Sequence, residues 1–72
     1  MLYDYSKLSG KIKEKCGTQA NFAKKIKLSE RSLSLKLNNI RPFKQSEMQA
    51  AIEVLDIPEC QLSDYFFVSK VQ

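Results

Sequence analysis

Residues 18–39 read TQANFAKKIKLSERSLSLKLNN, and their punctuation divides them into two short helices joined by a tight turn. Thr18 is a good N-cap, because its hydroxyl can accept from a backbone N–H that the first helical turn leaves unpaired. Behind it Phe22, Ala23 and Ile26 fall on one face of a helix over residues 19–26, with Gln19, Lys24 and Lys25 outward. Ser29 supplies the next cap, and Leu33 with Leu37, one turn apart, marks the buried side of a helix over residues 30–38. Asn38 and Asn39 suit a left-handed ending. Residues 32–37 also alternate polar and apolar as a strand does. Six residues are too few to set a period, Ser29 starts a helix, and no hairpin turn or partner strand follows, so helix is the reading.

Working outward, Asp4 or Ser6 can cap a first helix whose Tyr5, Leu8, Ile12 and Cys16 share a face, and Gly17 ends it. After the central segment, Pro42 forbids further helix and leaves Phe43 free to fold back onto the core. A fourth helix is expected over residues 45–55 with Met48, Ala51, Ile52 and Leu55 as its apolar stripe and Ser46 with Gln49 as a capping box. Pro58 suits the first turn of a fifth helix over residues 58–67, burying Leu62 and Phe66. The expectation is an all-α, compact five-helix single domain, since 72 residues accommodate one small core.

Composition excludes several classes of function. The chain has no histidine, and no paired carboxylates, cysteine–base set or glycine-rich phosphate loop in a recognisable arrangement, so an enzyme is not expected. Cys16 and Cys60 stand far apart without a metal-ligand or redox spacing, which points to reduced thiols, no metal and no cofactor. No apolar run approaches a membrane span, and the opening MLYDYSKLSG lacks the layout of a signal peptide. A soluble, cytoplasmic protein without membrane contact or small-molecule substrate is therefore expected.

Charge is distributed unevenly. Ten basic residues against two acidic ones lie between Lys11 and Lys44, a local balance of +8, whereas the whole chain carries +4. The outer segments must then carry −4. A polarised molecule of this kind suits a polyanion on one face.

Gln19, Phe22, Ala23, Ile26, Leu28, Ser29 and Leu33 together resemble the helix-turn-helix family of phage Cro and repressor proteins, and the resemblance covers almost the whole chain. More narrowly, LSLKLNNIRPF, VLDIPE and the closing YFF resemble small Cro-like or modulator-of-repression proteins of temperate phages in Gram-positive bacteria. The family usually has glycine in the turn where this chain has Lys27, so a left-handed lysine costing roughly 1 kcal/mol is expected there.

The resemblance implies a double-stranded DNA operator as partner, with the third helix in its major groove. Glu30, Arg31, Ser34 and Leu35 would face base edges, Arg31 carrying most of the specificity through a bidentate contact with guanine. Gln19, Ser29, Ser32, Lys36, Asn38, Arg41 and Lys44 would hold phosphates. Leu35 fits either a thymine methyl or a protein partner. Phe67 and Val68 exceed what a small bundle must bury, so they either seat a second copy in a homodimer or cover the first helix. The function expected first is that of a sequence-specific regulator of the Cro type in a lysis–lysogeny switch; the alternative is a modulator that binds the cognate phage repressor and alters its DNA binding.

Overall fold

The N-cap of the first helix is Tyr5, whose side chain makes no capping bond, and not the expected Asp4 or Ser6. Asp4 Oδ1 accepts from Ser6 N–H at 2.9 Å, and α1 then runs Ser6–Cys16. Its buried face is Leu8, Ile12 and Cys16, preceded by Tyr5. Gly17 stops it with φ 82°, a conformation that a residue with a side chain resists. A computed structural model describes residues 2–70 and contains five α-helices among them.

Helix α2, Gln19–Lys25, opens on Thr18, whose Oγ1 accepts from Asn21 N–H at 3.1 Å. Asn21 in turn donates through Nδ2 to the Cys16 carbonyl at 3.0 Å, tying the start of α2 to the end of α1. Lys27 adopts φ 62° in the turn, as expected from its position. Helix α3, Glu30–Leu37, opens on Ser29, whose Oγ accepts from Ser32 N–H at 3.1 Å. The alternation of residues 32–37 thus belongs to a helix. Of the two asparagines after it, only Asn39 is left-handed, at φ 63°; Asn38 keeps φ −97°.

Helix α4, Gln45–Val54, is capped differently from the expectation. Ser46 and Gln49 do not form the box. Lys44 is the N-cap residue and Glu47 Oε1 accepts from its N–H at 2.8 Å. The expected fifth helix is shorter, because residues Glu59–Gln61 wind as a 3₁₀ turn behind Pro58 before α5, Leu62–Phe66. α1 packs on α2 and α5, α2 on α3, and α4 on α5. Phe22, Phe66, Leu8, Ile12, Leu33 and Leu55 fill the centre with almost no exposure. Tyr65 and Ile57 join this core without having been singled out in the sequence.

The two ends of the described chain meet. Tyr3 and Ser69 form an antiparallel bridge, flanked by Asp4 N–H to the Val68 carbonyl at 2.7 Å and Lys70 N–H to the Leu2 carbonyl at 3.0 Å. Beneath it Tyr5, Phe43 and Phe66 pack edge to face, with centroids 5.4 and 5.1 Å apart, a geometry that ring quadrupoles favour.

Candidate functional site

Helix α3 is held by Leu33 in the core and by the Ser29 cap, so its remaining faces are fixed by the helical period. Glu30, Arg31 and Ser34 are exposed. Among the described residues Arg31 makes no ion pair, which leaves its guanidinium open to an external acceptor. Ser34 is engaged by its neighbour, since Asn38 Nδ2 donates to the Ser34 carbonyl at 2.8 Å and to its hydroxyl at 3.3 Å. Ser29 donates through its own hydroxyl to Ser32 Oγ at 3.0 Å. Leu35 is half-buried and stands outside the core cluster.

Lys36 corrects the sequence reading. It was expected at a phosphate, yet it is the one buried charged residue among those described, 6% exposed. Its Nζ donates to Glu47 Oε1 at 2.6 Å and to the Pro42 carbonyl at 3.3 Å. A lysine so placed cannot reach a phosphate without taking the counter-charge away from the largely enclosed carboxylate of Glu47. The signal was legible in the spacing: Lys36 lies three residues after Leu33, on the inward side of the same helix.

Glu47 is the other half of this arrangement. Burial alone would raise its carboxyl, but hydrogen bonds from Lys36 and the Lys44 N–H, together with the charges of both lysines, hold it below its ordinary value of 4.5. One oxygen therefore joins α3, the loop after it and the first turn of α4.

The withdrawal of Lys36 changes the electrostatics of α3. Of its three charges, Glu30, Arg31 and Lys36, only the first two face out, so the helix shows no net charge to a ligand. The basic fringe lies beside it: Lys24, Lys25 and Lys27 on and after α2, and Arg41 and Lys44 on the following loop, all exposed. Gln19 is exposed at the first turn of α2.

Phe67 and Val68 are exposed by 47% and 41%, against 1% for Phe66. The Phe67 ring meets Tyr3 edge-on, with centroids 5.9 Å apart. This segment lies along residues 2–4 ahead of α1 instead of over the helix. Tyr3, Ile40, Met48 and Phe67 are among the walls of a cleft of about 290 Å³. Among the described residues there is no group of His, Cys, Asp or Glu that could hold a metal, and no helix is long and apolar enough to cross a membrane. Cys16 and Cys60 are both free thiols.

The family described as "Protein of unknown function (DUF739)" matches residues 1–69. The chain is similar to the solution structure of the modulator of repression (MOR) of the temperate bacteriophage TP901-1 from Lactococcus lactis. The two share 51% identity, with 100% of this chain and 97% of that chain covered and a TM-score of 0.81. No curated protein matches.

Proposed function

The chain belongs to the DUF739 family, and from its full-length likeness to a phage modulator of repression we propose that it binds the repressor protein of a temperate phage and alters the repressor's hold on operator DNA. The likeness is to a regulatory protein, not to an enzyme. The observation that carries the reading is the 51% identity, spread over the whole chain with the same five-helix fold. The surface agrees with it. A helix that reads DNA profits from net positive charge against the phosphates, whereas the outward face of α3 is neutral and includes the half-buried Leu35. Such a face suits a protein partner, whose contacts combine an apolar anchor with a few paired charges.

Direct operator binding is the second reading, favoured by the unpaired Arg31 and the exposed lysines of α2. In that case Arg31, Glu30, Ser34 and Leu35 read bases, and Gln19, Ser29, Ser32, Asn38, Arg41 and Lys44 hold the backbone; Lys36 drops out of this set. A homodimer through Phe67 and Val68 belongs to the same reading, because one such domain grips only half a site.

Isothermal titration of the purified chain into the repressor encoded beside its own gene separates the two. The proposal expects a stoichiometric complex. Absence of heat at micromolar concentrations, together with a specific operator shift by the chain alone that fades steeply with salt, would reject it in favour of the second reading.

A further inference from the structure

The loop between α3 and α4, residues 38–44, is held on both sides by bonds that no connector of this length requires. On one side Asn39 clasps the backbone of Tyr3: Tyr3 N–H donates to Asn39 Oδ1 at 2.9 Å, and Asn39 Nδ2 donates back to the Tyr3 carbonyl at 3.0 Å. On the other, Lys36 Nζ joins the Pro42 carbonyl to Glu47, which also takes the Lys44 N–H. Between these ties the Leu35 carbonyl accepts from both Ile40 N–H, at 2.9 Å, and Arg41 N–H, at 3.3 Å.

What the ties hold out is Ile40, 67% exposed and the most exposed large apolar side chain among the described residues. Arg41 and Pro42 follow it into solvent, while Phe43 turns back into the core. The local charge is one-sided. Glu47, the neighbouring carboxylate, is already engaged by Lys36, and Arg41 has no ion-pair partner among the described residues. The loop therefore presents a fixed apolar tip beside an uncompensated guanidinium. Fixing a contact residue before binding lowers the ordering cost of association, and an unpaired flanking charge selects a partner of opposite sign.

We infer that residues 40–42 are a preorganised knuckle by which the chain grips its protein partner: Ile40 enters an apolar pocket of the repressor whose rim carries a carboxylate opposite Arg41. Asn39, Lys36 and Glu47 are positioning residues that hold the knuckle in place. The inference rests on the repressor-binding reading and names the surface used for it.

Two measurements on the intact chain test it. By amide hydrogen exchange, Asn39→Gly keeps the left-handed backbone but loses the clasp, so Ile40 and Arg41 should exchange about tenfold faster while Leu33 and Ile52 stay protected. Unchanged exchange at Ile40 and Arg41 would overturn the positioning role. By calorimetry with the repressor encoded beside the chain's own gene, Ile40→Ser and Arg41→Glu, both at exposed positions, should each weaken binding about tenfold or more. Asn39→Gly should weaken it less, and Asn39→Asp, which keeps the acceptor for Tyr3 N–H, should recover part of that loss. If the wild type binds and both surface variants bind within about twofold of it, the knuckle is wrong and the repressor reading stands. If the wild type itself does not bind, the repressor reading fails and takes the knuckle's assigned partner with it.

Discussion

The helix-turn-helix and the side of the molecule where the two ends of the described chain meet are held by different kinds of contact. In residues 18–39 each helix start is secured within a single turn, by Thr18 to Asn21 and by Ser29 to Ser32. The turn between them follows from one left-handed lysine. At the other end Tyr3 depends on Asn39, 36 residues away, and the ribbon depends on Ser69 arriving from the far end of the described chain. Local contacts form with little loop-closure cost, whereas these distant ones form only once the helices have packed. The first region should therefore be the firmer and the second the first to open. The Asn39 clasp joins the two regions directly, and the Lys36–Glu47 pair couples the motif to α4, the element that follows the loop.

Removing that coupling should have the largest effect. Glu47→Ala leaves an almost buried ammonium unpaired and should cost about 3 kcal/mol in urea denaturation, whereas the double replacement Lys36→Met with Glu47→Leu should stay within about 1 kcal/mol of wild type. A double variant as unstable as the single one would show that the pair contributes through its charge and not through packing. The pH dependence has a definite sign. Because the folded carboxyl of Glu47 sits below 4.5, its stabilisation is complete above that value and is lost as pH falls through the lowered one. The wild type should weaken as pH falls below about 4.5, and the double variant should lack that part of the acid limb.

Asn39→Ala comes next, at about 2 kcal/mol, from two lost backbone bonds and a left-handed alanine. If it left stability unchanged, the terminal ribbon would not depend on the clasp. Thr18→Ala, which removes a cap wholly inside the first region, should cost about 1 kcal/mol and leave the exchange of Ile40 untouched. Loosening of the loop by this variant would mean that the two regions do not open separately. The smallest effect has the opposite sign: Lys27→Gly should stabilise by about 0.5 kcal/mol in the same assay, the relief of φ 62° exceeding the added freedom of the unfolded chain.

The same division explains what could be read from the residues alone. Thr18, Ser29, Gly17 and the apolar spacing of Leu8, Ile12, Phe22 and Leu33 are signals that act within one or two turns, and each corresponds to a feature of the fold. The Asn39 clasp, the Tyr3–Ser69 bridge and the capping of α4 by Glu47 depend on partners that sequence order does not bring together. Lys36 lies between these cases. Its position on the inward face was legible from the spacing to Leu33, but a lysine on a basic segment suggests a surface charge, and the carboxylate that makes burial tolerable lies 11 residues further on. The exposure of Arg31 and Ser34 follows from the period of α3, whereas the identity of what they meet depends on the ligand.

The most direct test of the regulatory reading uses fluorescent operator DNA carrying the cognate repressor, titrated with this chain at physiological salt while anisotropy is followed. The chain should shift the repressor's binding isotherm and leave the anisotropy of repressor-free operator unchanged over the same range. A chain that saturates the bare operator with sequence preference, while the repressor's isotherm stays where it was, would contradict that reading.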